Sequence, residues 1–406
     1  MKKMAKVAAM LAALALLFGA IGCSGGGSDE PSYEEPPITG DDVDPSRPPS
    51  SGGDVDPSQP PSPGNGDGNI TPPQDGESDS LDYDHDIWEI DGTKLVKYKG
   101  PKYQTSLSIP NGVTSIGEGV FKDLKELGGV YIPDSVTSIG DEAFKGCETL
   151  CYQKDKLDLP AGLTSIGNSA FEGCKKIKAV VIPDSVTSIG DSAFSGCQAL
   201  YSVTIPEGVT SIGKNVFNGC IFETLTLPAS LTSIGGGVFS NCTRLKSLEI
   251  PDTVTNLETS FLFSNCEQLS EVKLPNSIDK IGQNMFYGCA KLREIDIPEG
   301  VTSIETDAFR KCAWLYSLTI PEGVTSIGDW AFWECKAFKK VIIPTSVKKI
   351  GNDAFNNCAQ GFSVTYEGTQ DQWDEIDIGN NGIPLKTYIA GKDENGADTN
   401  WYMENK

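Results

Sequence analysis

Histidine is nearly absent from this chain of 406 residues, in which His85 is the single example. A Ser-His-Asp or Cys-His catalytic site would therefore have to use His85, and a metal site built from several histidines is excluded. Basic residues are also scarce, since 33 Lys and Arg face 56 Asp and Glu. No segment forms the basic face that a phosphate backbone requires, so we expect no nucleic-acid partner.

Long apolar runs are missing except at the N-terminus, where residues 7–18 are all apolar. Twelve residues of helix span only about 18 Å, whereas the hydrocarbon core of a membrane measures about 30 Å. Three lysines precede the run, and residues 19–22 lead from it to Cys23. This order predicts that residues 1–23 are a signal segment and not a membrane span.

The residues directly before Cys23 resemble the lipobox of bacterial lipoproteins, with Ala20 where that family most often has Leu. The resemblance implies cleavage before Cys23, a diacylglycerol on its thiol and an acylated amino group. Several acyl chains anchor a protein stably, whereas one alone does not. We therefore expect attachment to a membrane through the lipid at Cys23, at the outer membrane or the cell surface. An ordinary secretory signal with an incidental cysteine is the alternative.

Residues 24–86 have almost no large apolar side chains. Residues 24–80 contain 12 prolines, and residues 24–90 hold 17 acidic residues against Arg47 alone. Such a segment cannot bury enough surface to offset the entropy of its chain. Prolines stiffen it and like charges stretch it, so we predict a disordered acidic tether over residues 24–86.

From Leu107 onward the sequence is periodic. An apolar residue followed by proline recurs at intervals of 22 to 27 residues, most often 23. The eleven prolines are Pro110, Pro133, Pro160, Pro183, Pro206, Pro228, Pro251, Pro275, Pro298, Pro321 and Pro344. A fixed period of this length predicts a solenoid, in which each coil buries its apolar residues against its neighbours.

The copies align to the pattern L-x-x-V-x-I-P-x-x-V-T-x-I-G-x-x-A-F-x-x-C, as in residues 200–220. Alternation before the proline predicts a strand that ends there, because proline cannot donate to a ladder. The V-T-x-I run predicts a second short strand, and the glycine predicts a turn. The spacing of Ala, Phe and Cys in A-F-x-x-C predicts one face of a short helical turn.

This unit resembles the BspA-like leucine-rich repeat, also called the Treponema pallidum type, over residues 107–358. The resemblance implies an α+β leucine-rich-repeat solenoid of about eleven coils. Residues 87–106 are similar to the N-terminal cap of such arrays and independently indicate a hairpin with an Asp91-Gly92 turn. Residues 359–406 resemble a C-terminal cap and tail.

Members of this family are typically bacterial surface proteins that adhere to host matrix proteins, cells or other bacteria. The resemblance therefore implies a lipid-anchored adhesin that presents a repeat scaffold to host or bacterial macromolecules. A glycan-binding surface lipoprotein and a structural spacer without a specific ligand are the alternatives. The solvent-facing positions follow no recognised code, so the sequence leaves the ligand open.

Ten cysteines occupy one repeat position: Cys147, Cys174, Cys197, Cys220, Cys242, Cys266, Cys289, Cys312, Cys335 and Cys358. Leu124 holds this position in the first copy, so we expect buried free thiols that fill apolar space. A ladder spreads its cysteines one per coil and cannot converge on zinc, so no metal site is predicted. Cys151 lies beside four inserted residues and is predicted to be the most reactive thiol.

Aromatic residues mark a candidate ligand-binding site in the late copies. The variable position after the Phe of each copy holds small or charged residues early, and then Tyr287, Arg310 and Trp333. Trp330 precedes Trp333 by three residues, on the same face of the predicted helical turn, and Trp314 lies one copy earlier. Trp, Tyr and Arg are over-represented at binding hot spots, so these five residues are the candidate site. The alternative is that the rings pack against neighbouring coils or the C-terminal cap.

Catalytic signatures are lacking. The chain has no glycine-rich phosphate loop, no nucleophile paired with a base and no carboxylate pair at a fixed spacing. We therefore predict neither enzymatic activity nor a cofactor.

Overall fold

The fold is described by a computed structural model for residues 87–384 and 387–402. The predictions for the signal segment, Cys23 and the acidic tether lie outside these residues. Within them the strands are β1 (Trp88–Asp91), β2 (Lys94–Tyr98), β3 (Ser106–Ser108), β4 (Ser115–Ile116), β5 (Gly129–Tyr131), β6 (Ser138–Ile139), β7 (Ser165–Ile166), β8 (Ala179–Val181), β9 (Ser188–Ile189), β10 (Ser202–Thr204), β11 (Ser211–Ile212), β12 (Ser233–Ile234), β13 (Ser247–Glu249), β14 (Asn256–Leu257), β15 (Glu271–Lys273), β16 (Lys280–Ile281), β17 (Ser303–Ile304), β18 (Ser317–Thr319), β19 (Ser326–Ile327), β20 (Lys340–Ile343), β21 (Lys349–Ile350), β22 (Ser363–Thr369), β23 (Asp377–Ile378), β24 (Tyr388–Lys392) and β25 (Asp398–Tyr402). The helix is α1 (Gln370–Asp374).

Each coil gives one two-residue strand to a parallel ladder. Ser138 lies opposite Ser115 in the preceding coil and Ser165 in the following one, and Ile139 pairs in the same register. Ile139 is buried and Ser138 is half-buried, as expected for side chains that alternate along a strand. The ladder runs β2-β4-β6-β7-β9-β11-β12-β14 and continues, after a break, as β16-β17-β19-β21-β23.

The residues before the repeated prolines form a second, discontinuous ladder. Its parallel strands form three separate pairs, which are β3 with β5, β8 with β10 and β13 with β15. A fourth piece contains β18, β20, β22 and β24, each paired with the next in this order. Between these pieces the coils are joined by the isolated bridges Leu157 to Val180 and Thr224 to Ser247. The predicted strand before the proline is therefore present in many of the coils, although it is only three or four residues long where it precedes proline.

The first ladder has thirteen parallel rungs in the described part of the chain, so the prediction of about eleven coils is too low. The extra rungs are Lys94–Leu95 in β2 and Asp377–Ile378 in β23. They lie outside the segment that the repeated prolines mark, which is why the proline count missed them.

The α+β label is also wrong, because the A-F-x-x-C segments form turns and not helix. The N–H of Phe144 donates to the carbonyl of Ala170 in the next coil at 2.8 Å. The N–H of Cys147 closes a tight turn onto the carbonyl of Phe144 at 3.1 Å, and Gly146 between them has a φ of 73°. A right-handed helix excludes that φ, so α1 is the sole helix in the described range and the solenoid is a β structure.

A stack of phenylalanine rings fills the centre of the coils. The rings of Phe144 and Phe171 lie 5.3 Å apart with an interplanar angle of 2°, and similar pairs continue from Phe121 to Phe355. Each of these rings is buried. Since no coil can cover its own ring on both sides, the stack couples each coil to its two neighbours.

The cysteine ladder lies beside this stack, and its thiols have a specific partner. The Sγ–H of Cys147 donates to the carbonyl of Phe121 in the preceding coil at 3.1 Å, and all ten ladder thiols repeat this contact at 3.0 to 3.5 Å. The ten are free, and all except half-exposed Cys358 are buried, in agreement with the prediction. Leu124, which has no thiol, holds this position in the first copy.

Cys151 does not fit the prediction of an exposed reactive thiol. Its side chain is 3% exposed, and burial raises its pKa to about 11. The inserted residues instead expose the ring of Tyr152. Because reactivity follows the thiolate form and its accessibility, Cys151 is a core residue.

The glycine that follows most strands of the first ladder is explained by close packing and not by its φ. A Cβ on Gly190 would lie 2.7 Å from the backbone nitrogen of Asn168 in the preceding coil, closer than real Cβ atoms approach. Glu258 and Glu305 hold this position in two coils, so the packing is adjusted there.

The two ends of the array carry additional structure. Strands β1 and β2 form the predicted antiparallel hairpin, with Gly92 at a φ of 61° in its turn, and Trp88 packs its ring 6.1 Å from that of Phe121. At the other end, Thr369 and Gln372 form a capping box at the start of α1. The buried ring of Trp373 in that helix meets Tyr366 edge to face at 5.2 Å.

Candidate binding surface

Two sets of positions run beside the Phe–Cys turns near the surface, where Tyr287, Arg310 and Trp333 are half-buried and Ser240 and Ser264 are buried. The turn column is the residue after the stacked phenylalanine of each coil, in chain order Lys122, Lys145, Glu172, Ser195, Asn218, Ser240, Ser264, Tyr287, Arg310, Trp333 and Asn356. The flanking column has two residues in each coil, one on either side of the buried apolar residue that follows the ladder cysteine by three positions. Examples are Lys291 and Arg293, Trp314 and Tyr316, and Ala337 and Lys339. Hydrogen bonds between coils hold both columns in register.

In the turn column, Arg310 lies between two aromatic rings. Its guanidinium carbon is 4.3 Å from the centroid of the Trp333 ring and 5.8 Å from that of Tyr287. Nη1 of Arg310 also donates to Oδ1 of Asp307 at 3.0 Å. Arg310 therefore lies between the rings of Tyr287 in the preceding coil and Trp333 in the next coil.

The flanking column has the same chemistry with the order of residues reversed. Nζ of Lys291 lies 5.0 Å, and the guanidinium carbon of Arg293 lies 4.8 Å, from the centroid of the Trp314 ring. One coil later, Nζ of Lys339 lies 5.8 Å from the centroid of the Tyr316 ring. Trp314, predicted as a site residue, thus lies in this second column and not in the Arg310 stack.

Aromatic and cationic residues therefore alternate across three coils, and the two columns alternate out of phase. Where the turn column has a ring, the flanking column has cations, and where the turn column has Arg310, the flanking column has rings. We call this set the aromatic–cation surface: Tyr287, Lys291, Arg293, Arg310, Lys311, Trp314, Tyr316, Trp333 and Lys339. A cation over a ring face is attracted by the ring quadrupole, so the arrangement holds each side chain in place.

The backbone beneath the surface is fixed by bonds from coil to coil. The N–H of Trp314 donates to the carbonyl of Ala290 at 3.0 Å, and that of Tyr316 donates to Arg293 at 3.1 Å. The N–H of Lys339 continues the series to Tyr316 at 2.9 Å. Trp314 and Tyr316 are exposed, with 44% and 56% of their surface accessible. The surface thus presents rigid rings to solvent.

Trp330 stands apart from the stacks. Its ring is 38% exposed and takes part in none of the ring contacts described for residues 87–384 and 387–402. Its φ is 54°, whereas Asn284, Asp307 and Asp353 occupy the same left-handed position in neighbouring coils. The prediction that Trp330 and Trp333 share a helical face is wrong, because the segment is a turn. The repeat imposes this φ in every coil, and Phe261 holds the same position at 57°.

The charge environment separates these coils from earlier ones. In the turn column, Nζ of Lys145 lies 3.0 Å from Glu142 and 3.1 Å from Glu172. In the flanking column, Arg244 and Lys246 both pair with Glu223 at 2.6 Å and hold the pKa of that carboxyl below its usual range. Most cations at these positions in the early coils are therefore paired with neighbouring acids. Lys176 is the exception, with no carboxylate within 4.0 Å among the described residues.

On the aromatic–cation surface the cations lie over rings instead. Arg310 is paired with Asp307. Among the described residues, no carboxylate oxygen lies within 4.0 Å of four other cations, which are Lys291, Arg293, Lys311 and Lys339. Sequence reasoning did not select these four, or Tyr316, as binding residues. The alternation would have been visible only with both columns aligned coil by coil.

No group of three or more His, Cys, Asp or Glu is placed to hold a metal ion in the described part of the chain. Within residues 87–384 and 387–402, no helix has the length and apolar character needed to cross a membrane.

The fold and this surface define a class: a leucine-rich-repeat β-solenoid that carries exposed rings and unpaired cations on its late coils. A family model for the BspA type leucine rich repeat region matches residues 98–178, 164–289 and 245–362, in six copies. The chain belongs to this family, and the resemblance found in the sequence is confirmed. No curated protein matches the chain.

Solved bacterial structures are similar to it. A leucine rich cell surface protein from Faecalibacterium prausnitzii is 29% identical over 74% of this chain and 98% of its own, with a TM-score of 0.47. A leucine-rich repeat protein from Bacteroides ovatus is 27% identical over 74% of this chain and 87% of its own, with a TM-score of 0.47. The T. pallidum leucine rich repeat protein is 25% identical over 55% of this chain and 82% of its own, with a TM-score of 0.37.

Proposed function

We propose that this chain is a lipid-anchored bacterial adhesin, which binds host or bacterial proteins through the aromatic–cation surface and the neighbouring Trp330. The observation that carries the proposal is the change in side chains along otherwise equivalent coils. In the turn column, Lys145 is paired with acids early, whereas Tyr287, Arg310 and Trp333 form a ring–cation stack late. In the flanking column, the acid-paired Arg244 and Lys246 are followed by Lys291 and Arg293, which lie over the Trp314 ring. Trp, Tyr and Arg are the residues that contribute most at protein interfaces.

The proposed contact residues are Tyr287, Arg310, Trp314, Trp330 and Trp333. Binding at a prefixed surface loses little side-chain entropy, and the coil-to-coil hydrogen bonds supply that rigidity. The exposed ring of Trp330 supports its inclusion, since tryptophan is over-represented at binding hot spots. No catalytic step, cofactor or nucleic-acid partner is part of the proposal.

The anchor is proposed to be the lipid at Cys23. A basic start, a 12-residue apolar run and small residues before that cysteine support it. The acidic segment 24–86 would then separate the solenoid from the membrane. The description of the similar F. prausnitzii protein as a cell surface protein agrees with a location at the outer membrane or the cell surface.

The proposed domain boundaries are supported by the packing at the two ends of the repeat array. Residues 87–106 would cap the first coil, because the hairpin ring of Trp88 covers Phe121. Residues 107–358 would form the repeat solenoid, and residues 359–406 the C-terminal cap and tail, with Trp373 over the last coils. Capping segments keep the open ends of a repeat array from exposing apolar surface.

The test is a comparison of the full chain with two double variants. Trp314→Ala with Trp330→Ala removes two exposed rings of the proposed site. Tyr103→Ala with Tyr201→Ala removes one exposed ring from the N-terminal cap and one from an early coil, and serves as the matched control. Binding to immobilised matrix proteins should weaken by about 2 kcal/mol, near thirtyfold, in the first variant only. Thermal melting of both variants shows whether the fold is kept.

Three outcomes reject the proposal. Binding confined to a polysaccharide panel would identify a glycan-binding lipoprotein. Equal loss in both double variants would show that the rings have no special role. Unchanged adhesion of bacteria after deletion of the gene would leave a structural spacer.

A further inference from the structure

Four cations of the aromatic–cation surface keep an unneutralised charge: Lys291, Arg293, Lys311 and Lys339. Each lies 4.8 to 5.8 Å from the centroid of an aromatic ring. A ring carries no net charge, so stacking orients a cation without cancelling its field. Of the corresponding early residues, Lys178, Arg244 and Lys246 face a carboxylate within 4.0 Å, whereas Lys176 has no such partner in the described part of the chain.

This local charge contrasts with the chain as a whole. The formal net charge is −23, so most of the protein repels an acidic partner. Unpaired cations gathered on three neighbouring coils give such a partner one favourable approach. Charge complementarity of this kind selects the partner and its orientation and raises the rate of association.

The shape of the surface favours a protein partner. Concavities of about 480, 430 and 440 Å³ lie along the two strand ladders, and no residue of the aromatic–cation surface lines any of these three. Small ligands are held in concave sites, whereas protein interfaces are formed on open surfaces with aromatic residues and Arg. The exposed rings of Trp314 and Tyr316 lie among the cations and can cover apolar side chains of the partner.

We propose that the aromatic–cation surface docks an acidic protein segment. Asp and Glu carboxylates of the partner meet Lys291, Arg293, Lys311 and Lys339, and its apolar side chains rest on the rings of Trp314 and Tyr316. The inference rests on the proposed function, because it names the chemistry of the protein that the same surface binds. It adds a requirement that the proposed function lacks, namely that the partner is negatively charged.

The experiment measures fluorescence anisotropy of labelled peptides with the purified full chain. The probe is a peptide made of repeated Glu-Glu-Leu triplets. A peptide of equal length made of repeated Gln-Gln-Leu triplets is its neutral counterpart. Sodium polyglucuronate, an anionic polysaccharide, is tested in the same way after fluorescent labelling. Titrations at about 50 mM and about 500 mM NaCl bracket the range over which exposed charges become screened.

Two quadruple variants of equal charge are compared. The surface variant carries Lys291→Gln, Arg293→Gln, Lys311→Gln and Lys339→Gln. The matched control carries Lys175→Gln, Lys178→Gln, Arg244→Gln and Lys246→Gln, all of which are ion-paired in the native chain. Should the surface variant fail to melt cooperatively, Lys339→Gln alone replaces it, and the salt series on the native chain provides a second readout.

We expect the acidic peptide to bind at least about tenfold more tightly than the neutral one at low salt, and to weaken at high salt. The surface variant should lose at least about tenfold in affinity, and the control less than about threefold. Equal losses in the two variants, or equal binding of the two peptides, would overturn the inference. Direct binding of fluorescently labelled polyglucuronate, with no binding of either peptide, would overturn the inference and assign the surface to an anionic glycan.

Failure here is separable from failure of the proposed function. If the acidic peptide does not bind while Trp314→Ala with Trp330→Ala still abolishes attachment to a matrix protein, the acidic partner is refuted and the adhesin remains. If neither test responds, both proposals are wrong.

Discussion

The guanidinium carbon of Arg310 lies 4.3 Å from the centroid of the Trp333 ring, which belongs to the next coil of the array. Its other neighbours are the Tyr287 ring of the preceding coil, at 5.8 Å, and the half-buried carboxylate of Asp307. One side chain therefore joins three successive coils on the solvent side, where the phenylalanine stack does not reach. It contributes to the stability of the late coils as well as to their surface.

Replacement of Arg310 by Gln should destabilise the protein by about 1 to 2 kcal/mol, because it removes the cation shared by two rings and a partly buried ion pair. The neighbouring Lys311 is exposed and has no ion pair among the described residues, so Lys311→Gln should cost less than about 0.5 kcal/mol. Urea unfolding followed by tryptophan fluorescence measures both. Equal costs for the two changes would show that Arg310 does not join the coils.

The phenylalanine stack permits a matched comparison. Phe194 is buried between Phe171 and Phe217, and Phe194→Ala should cost about 3 to 5 kcal/mol. Phe261 is 46% exposed, and Phe261→Ala should cost less than about 1 kcal/mol. Hydrogen exchange should show faster opening first in the coils next to Phe194. A similar cost at both positions would mean that stacking contributes little.

The buried thiols predict that stability falls at alkaline pH. Burial raises the pKa of Cys147 and of Cys358 to about 12, and the other ladder thiols shift in the same direction. The pKa of a thiol in the unfolded chain is about 8.5. The folded state therefore holds its protons more tightly, so its stability is complete below about pH 8.5 and declines as the pH rises towards 12.

Each titrating thiol contributes a slope of up to about 1.4 kcal/mol per pH unit. Urea midpoints measured from about pH 8 to about pH 11 should therefore fall steeply. Cys197→Ser with Cys220→Ser removes two titrating groups and keeps donors for the phenylalanine carbonyls, so its slope should be smaller. A pH-independent midpoint, or rapid labelling of several ladder thiols in the native protein, would contradict this account.

The lipid anchor makes a prediction for the living cell. Cys23→Ala should leave the protein as an unprocessed precursor or release it from membranes, because no other residue of the proposed motif can carry the lipid. Radiolabelled fatty acid followed through membrane fractions measures both effects. Absence of label from the native protein would refute the lipoprotein assignment.

The repeat period made most of the fold predictable. Ile139 and Phe144 recur at fixed intervals, and apolar residues that recur in this way must face a common core. The turns were mispredicted as helical because the amide of Phe144 bonds to another coil, and such a bond leaves no trace in the local sequence. The terminal rungs were missed because Lys94 and Asp377 pair with the ladder outside the proline-marked copies.

The candidate surface was predictable in part for the same reason. Tyr287, Arg310 and Trp333 share one repeat position, so aligning the copies brought them together. Lys291 and Trp314 share another position, but their relation to the first column depends on the distance between side chains of successive coils. The absence of a carboxylate near Lys291 in the described structure likewise depends on where neighbouring acids point, which the alignment does not give.

Each ladder thiol donates a hydrogen bond to the phenylalanine carbonyl of the coil before it, so every junction between two coils needs a donor from one coil and an acceptor from the other. A coil duplicated within the interior brings its own donor and its own acceptor, so both new junctions are complete at once. Loss of the first coil would instead leave Cys147 without the carbonyl of Phe121. Arrays of this kind can therefore lengthen by duplication of interior coils within the gene. The first proline-marked coil has Leu124 in place of cysteine and so lacks a thiol donor, which makes it suited to the start of the array alone.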